Sequence, residues 1–128
     1  GLLDLQLTPV ICAITHDKNG QLLNTNADSI ANAIATSLSS EYEVELIYCF
    51  EKNGVLMNAE DDHSVIKNLD FELFQDLKNK EIINMGMLPK LENCFQALNN
   101  GVHEIGIINA SNIVNYINNN SNDGTRIK

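Results

Sequence analysis

The sequence predicts an α/β domain with a mainly parallel sheet and helices on its faces. Three observations predict it. Short apolar, β-branched runs recur at LTPVICAIT (7–15), VELIYCF (44–50) and HEIGIIN (103–109). Between them lie segments whose apolar residues repeat at helical spacing, at 27–38, 70–77 and 87–98. Turn and cap residues separate the two kinds of segment, and strands alternating with helices build a parallel sheet.

Taken in order, Leu7 to Thr15 reads as a buried strand, with Pro9 keeping its start out of a central ladder position. Asp17-Lys18-Asn19-Gly20 is a hairpin signal, because Asn-Gly supplies the positive φ angles of a tight turn. Gln21 to Leu23 is the expected return strand. Ala27, Ile30, Ala31, Ile34, Ala35 and Leu38 then form one helical stripe. Thr25 or Asn26 is its expected N-cap, and Asp28 falls in the first turn, where the helix dipole favours a carboxylate. On its own this is a well-capped helix.

Val44 to Phe50 is the second strand, followed by the polar loop Glu51-Lys52-Asn53-Gly54. Val55 to Met57 and Ser64 to Leu69 flank the acidic loop Glu60-Asp61-Asp62 and suggest a small hairpin. That acidic loop lacks the glycine and spacing of a calcium loop. Asp70 is the expected cap of a helix facing inward through Phe71, Phe74 and Leu77. A further helix begins near Met87, with Pro89 in its first turn, and Leu88, Leu91, Cys94, Phe95 and Leu98 directed inward. Gly101 is its expected C′ residue. Val102 to Asn109 holds the third strand, Ser111 to Tyr116 a last helix, Asn118 to Asn122 a polar loop, and Thr125 to Lys128 a final short strand.

At 128 residues the chain is one domain, or one lobe of a larger protein. Hydrophobic residues make up 44% and charged ones 20%, the composition of a soluble globular chain. No apolar run approaches the roughly 20 residues that cross a bilayer, and Gly1 opens apolar sequence with no basic leader, so no signal peptide is expected. The net charge of −9 argues against nucleic acid and against anionic membranes as partners. Any phosphate must be met by a few placed lysines and backbone N–H groups. Cys12, Cys49 and Cys94 match no metal motif and are expected to be reduced core residues of a cytoplasmic protein. His16, His63 and His103 adjoin turn signals and are expected at the surface, and no metal site is proposed.

In open α/β sheets, ligands sit at the carboxyl ends of strands near helix N-termini. Three polar segments should therefore collect on one edge: Asn24 to Asp28, Glu51 to Gly54 and Asn84 to Lys90. Lys90 stands in the first turn of its helix, where the dipole disfavours a cation. Either it reaches into solvent, or it and the helix terminus hold an anion, most simply a phosphate. Gly86 would let that anion approach the backbone, and a carboxylate such as Asp28 could orient the lysine. No GxSxG elbow, Cys–His signal, Walker A loop or GxGxxG occurs.

The ordered set LNTNAD with an alanine-rich helix, strand–EKNGVL, INMGMLPKLENCFQAL and GTRI resembles the acetylglutamate kinases of the amino acid kinase family. The resemblance runs over essentially the whole chain. It implies the C-terminal, ATP-binding lobe of a three-layer α/β/α sandwich, spanning residues 1–128, with the N-terminal substrate lobe absent from this chain. It implies ATP-dependent phosphorylation of the γ-carboxylate of N-acetyl-L-glutamate, in arginine biosynthesis, with Mg2+ carried by the nucleotide and a homo-oligomer in the full-length parent. By resemblance Lys90 stabilises the transferring phosphoryl group, Asp28 orients the catalytic lysines, and Asn24 holds the acyl-amino acid. Glu51, Lys52, Asn53, Gly54, Val55, Leu56, Ile82, Ile83 and Asn84 line the ATP site. Two departures stand out. The family's Thr/Ser-Asp-Val is replaced by Phe50-Glu51-Lys52-Asn53. The family's preceding half, with its phosphate loop, lysine and substrate arginine, does not occur ahead of Gly1, so little or no kinase activity is expected of this chain alone. A non-catalytic nucleotide-binding module, an N-succinylglutamate kinase and a glutamate 5-kinase-like enzyme are the competing readings. The Asn24-x-Asn26-Ala27-Asp28 and Gly86-Met87-x-Pro89-Lys90 pair argues against the last.

Overall fold

A computed structural model of the chain describes residues 1–118 and 123–128. It divides into two compact units, residues 1–31 and 32–128. The expected polar loop at 118–122 lies, beyond Asn118, outside the described residues.

In the first unit β1 (Ile14–His16) and β2 (Leu22–Asn24) pair antiparallel, with Ile14 opposite Asn24 and His16 opposite Leu22. The turn forms, but its positive φ angles fall on Lys18 (70°) and Gly20 and not on Asn19. Asp17 Oδ1 accepts the backbone N–H groups of Asn19 (2.8 Å) and Gln21 (3.1 Å), and Gly20 takes φ +92°. These contacts hold the Asp17 carboxyl below its usual range, the Asn19 N–H contributing most. The expectation of a buried strand over Leu7 to Thr15 is not met. Only residues 14–16 are strand, and Leu7, Val10, Ile11 and Ile14 are exposed, Val10 at 97%. An apolar run is buried only where a layer packs on it, and β1 is paired with β2 alone. Cys12 is exposed for the same reason.

The helix α1 (Ala27–Leu38) opens at Asn26, whose Oδ1 accepts the Ser29 N–H at 3.2 Å while its carbonyl accepts the Ile30 N–H. Asn26 is thus the N-cap, and Asp28 lies in the first turn. Along the apolar stripe Ala35 is buried, Ile30, Ala31, Ile34 and Leu38 are half-buried, and Ala27 is exposed.

The second unit is built on a four-stranded sheet in the order β3 (Glu45–Phe50), β5 (Glu104–Asn109), β6 (Thr125–Ile127), β4 (Asn68–Leu69). β3 and β5 run parallel from Glu45↔Glu104 to Phe50↔Asn109, and β4 and β6 run parallel. β5 and β6 are antiparallel. The sheet is mixed, mostly parallel and accompanied by helices, which is the α/β class the alternation predicts. Leu56 and Val65 form an antiparallel bridge with bonds from Met57 N–H to Ser64 O and from Ile66 N–H to Val55 O, the small hairpin expected around the acidic loop.

Helix α2 (Phe71–Asn79) starts where Asp70 Oδ1 accepts the Leu73 N–H at 2.7 Å. Its Phe74 and Leu77 are buried, whereas Phe71, expected inward, is 56% exposed. One turn earlier on the stripe, Phe71 meets Phe95 edge-on at 5.4 Å, and Phe74 stacks on Phe95 at 4.9 Å. Helix α3 (Leu88–Asn99) buries Leu91, Cys94, Phe95 and Ala97. It ends in a Schellman turn: Val102 N–H donates to Ala97 O, Gly101 N–H to Leu98 O, and Gly101 has φ +102°. The last helix, α4 (Ile113–Ile117), follows a 3-10 turn over Ala110–Asn112. Cys94 is in the core as expected, but Cys49 is exposed. The strand period of two turns it away from the buried Tyr48.

Candidate functional site

The carboxyl end of β3 opens on a cavity of about 350 Å³, within the roughly 300–1,000 Å³ of ligand clefts. All its lining residues lie in the second unit. From β3 and the loop after it come Phe50, Glu51, Lys52, Gly54, Val55 and Leu56; Ala59 follows. From the segment ahead of α3 come Ile82, Ile83, Asn84, Gly86 and Met87, and from α3 itself Lys90. Two of the three polar segments expected to share an edge therefore meet here. The third, Asn24 to Asp28, belongs to the first unit. Asn24 ends β2 and Asp28 sits in the first turn of α1.

The loop after β3 is anchored at both ends by residues remote in sequence. Asn109 Nδ2 donates to Glu51 O at 2.8 Å. Val55 N–H, buried, donates to Thr125 Oγ1 at 2.8 Å. The GVL and GTRI segments are thus physically joined. Gly54 adopts φ +146°, and a Cβ there would stand 2.7 Å from Thr125 Oγ1, so the close approach of loop and β6 requires glycine. Asn53, expected among the lining residues, is exposed on this loop and is not one of them.

Lys52 lines the cavity while its Nζ donates to Asp62 at 2.7 Å. The Asp62 carboxylate raises the Lys52 pKa and is itself lowered by the lysine. On the facing side Asn84 organises the chain into α3. Its carbonyl accepts the N–H groups of Met87 and Leu88, and its Oδ1 accepts Gly86 N–H at 2.8 Å. Gly86 has no positive φ.

At α3 the supply of backbone donors is limited. Met87 is the N-cap and gives no side-chain cap bond, Leu88 N–H goes to Asn84, and Pro89 has no N–H. The positive charge at this end is the Lys90 ammonium. Its Nζ lies 4.7 Å from the Tyr48 ring centroid and 5.8 Å from that of Phe50. No sequence signal pointed to those two aromatics, because i, i+2 on a strand is also ordinary core alternation. Chemically the cavity combines apolar walls, the ammonium groups of Lys90 and of the Asp62-paired Lys52, and a loop carbonyl-and-amide rim, which suits a flat apolar group bearing anionic substituents.

The fold is that of an α/β protein with a lysine-bearing cleft at the carboxyl end of β3. A model described as the amino acid kinase family matches residues 1–109, and the chain belongs to that family. Curated relatives include the acetylglutamate kinase of Cytophaga hutchinsonii, 44% identical over 98% of this chain and 48% of the relative. That of Bacteroides fragilis is 47% identical over 95% of this chain and 44% of the relative. That of Azobacteroides pseudotrichonymphae is 52% identical over 83% of this chain and 41% of the relative. The chain therefore spans less than half the length of these relatives. Among solved structures, a protein of Streptococcus mutans UA159 superposes with a TM-score of 0.72 at 26% identity, covering 99% of this chain and 45% of that one. The N-acetylglutamate synthase of Neisseria gonorrhoeae, complexed with coenzyme A and L-arginine, has a TM-score of 0.80 at 22% identity, over 98% of this chain and 28% of that one. The last likeness is one of fold. No described helix is long and apolar enough to cross a membrane.

Proposed function

We propose that the chain is the ATP-binding lobe of an enzyme that phosphorylates the γ-carboxylate of N-acetyl-L-glutamate. The observation that carries this reading is the cavity at the end of β3, where residues 51, 52 and 54–56, residues 82–84 and Lys90 face one space. The curated relatives named acetylglutamate kinase support the choice of reaction.

In this reading the apolar walls, Val55, Leu56 and Ile83, take the base, and Lys90 meets the phosphates. Phosphoryl transfer asks chiefly for positioning and charge stabilisation, so one ammonium aimed at the transferred group contributes directly. Asp28 orients lysines at the reacting centre and Asn24 holds the acylated amino acid. Mg2+ arrives with the nucleotide and neutralises phosphate charge. The rest of the acceptor's contacts come from residues that accompany the lobe in a polypeptide of the relatives' length.

Calorimetric titration of this chain with MgATP, alone and mixed with the complementary half of a full-length relative, tests the reading. Saturable binding by the chain, with turnover of N-acetylglutamate only on mixing, is expected. Absence of ATP binding in both arms overturns it, and binding without turnover on mixing favours a non-catalytic nucleotide module. Turnover with N-succinylglutamate in place of N-acetylglutamate would change the acceptor while keeping the chemistry.

A further inference from the structure

We propose that the hairpin 55–66 is a strap across the cavity mouth, latched by the Lys52–Asp62 ion pair, whose opening sets how fast a ligand enters and leaves. That the ligand is a nucleotide rests on the reading above; the strap does not.

The base of the hairpin is fixed. Val55 and Leu56 belong to the cavity wall, and the buried Val55 N–H donates to Thr125 Oγ1. The bonds from Met57 N–H to Ser64 O and from Ile66 N–H to Val55 O join its two arms. The tip is held differently. Ala59 lines the cavity and is exposed, so residues 58–63 stand at the mouth. The tip keeps its own shape: Ser64 Oγ accepts the Asn58 N–H at 3.0 Å and donates to Asp61 O at 2.6 Å, and Asp61 Oδ1 accepts the His63 N–H at 2.9 Å. Among the described residues, the hydrogen bond by which the tip reaches beyond itself is the one that Asp62 Oδ1 accepts from Lys52 Nζ at 2.7 Å. Lys52 lines the cavity from the loop after β3, so this pair ties the tip to the facing rim.

A segment that is rigid in itself, fixed at its base and tied at one point opens as a unit when the tie parts. An exposed ion pair biases such an opening about threefold, too little to register in global unfolding and enough to change a rate. When opening is fast relative to binding, entry and exit both scale with the open fraction.

The test uses this chain with Lys52→Ala, with Asp62→Ala, and with the charges exchanged in Lys52→Asp/Asp62→Lys. Without ligand, NMR relaxation dispersion of the amides of residues 59–63 reads the strap on the μs–ms scale. A larger exchange contribution is expected in both single variants, and a native one in the exchanged pair. With a fluorescent MgATP analogue in stopped flow, the association rate should rise about threefold in each single variant, with dissociation rising alongside it in Lys52→Ala, and return toward native in the exchanged pair. A latch moves both single variants the same way. A change of local field alone slows the anion's entry in Lys52→Ala and speeds it in Asp62→Ala. Association rates that move in those opposite directions overturn the inference, as do tip amides alike in all four chains or an exchanged pair that behaves like the single variants. Tip motion that follows the ion pair in a chain that binds no ATP overturns the nucleotide reading and leaves the strap standing.

Discussion

The two ends of the β3–β5 pair set their charged groups in different surroundings, a buried cluster at one and a cavity at the other. At the amino end Glu104, 3% exposed, is ringed by cations: Arg126 bonds its Oε1, Lys128 Nζ lies 2.6 Å from its Oε2, and the Tyr116 hydroxyl is 3.5 Å from Oε1. Burial pushes the Glu104 carboxyl up, but the Lys128 bond and the Arg126 charge outweigh it and leave the group below its ordinary range. Tyr116 is pushed up to about 12, chiefly by its own burial, and stays a donor. At the carboxyl end Lys90 faces two rings beside a cavity. At the amino end one buried carboxylate ties the start of β5 to β6 and to Lys128. At the cavity the cation lies over two aromatic faces within reach of what the cavity holds. β6 serves both ends, giving Arg126 and Lys128's neighbourhood to one and Thr125 to the other.

The largest effect should follow from removing the cation at the cavity. In an enzyme of the relatives' full length, Lys90→Ala is expected to lower kcat by about 10²–10³-fold while ATP affinity falls far less, as for a group that acts mainly on the transition state. An unchanged kcat would put Lys90 outside the chemistry and level the contrast between the two ends.

At the other end the readout is stability. Glu104→Gln leaves Arg126 and Lys128 beside a neutral amide and is expected to cost about 3 kcal/mol at neutral pH, measured by urea unfolding. The sign of its pH dependence follows from the lowered carboxyl. Stability from Glu104 is fully present above the ordinary glutamate value of 4.5 and is lost as pH falls through the lower folded value. Native and variant unfolding midpoints should therefore converge in acid and separate above about pH 4.5. Parallel curves would show that the cluster's charge contributes nothing.

Much of the frame was legible because it is local. Asn26 and Asp70 cap helices, Gly101 ends one, and Gly20 turns the hairpin, since each role is a property of a few adjacent residues. The run at 7–15 was misread because its apolar pattern does not say what packs on it, and Cys49 because a core-like strand still has a second face. At the cavity, the resemblance named residues 51–56 and 82–84, and all of these but Asn53 line it. Contacts that join remote residues could not: Tyr48 and Phe50 under Lys90, Thr125 under Val55, and Asp62 on Lys52. Each is set by the register of strands that the sequence leaves open.

Thr125→Val tests the shared strand. It is close in shape but strips the buried Val55 N–H of its acceptor, and should cost about 1–2 kcal/mol in urea unfolding. Because Val55 lines the cavity, ATP affinity should fall with it. A loss of stability with unaltered affinity would separate the loop's anchorage from the cavity's shape.

The smallest effects belong to Lys52 and Asp62, an exposed pair at the cavity rim. Lys52→Ala should leave the urea midpoint unmoved, since exposed pairs contribute little. Its effect on ATP affinity should also be slight, because Asp62 already engages the amine. Asp62→Ala should do the reverse, turning Lys52 toward the cavity and raising ATP affinity, with the gain disappearing as salt screens it. If Lys52→Ala instead weakened ATP binding as much as Lys90→Ala, the rim lysine would be a phosphate contact in its own right. The cavity would then hold its anion between two ammonium groups.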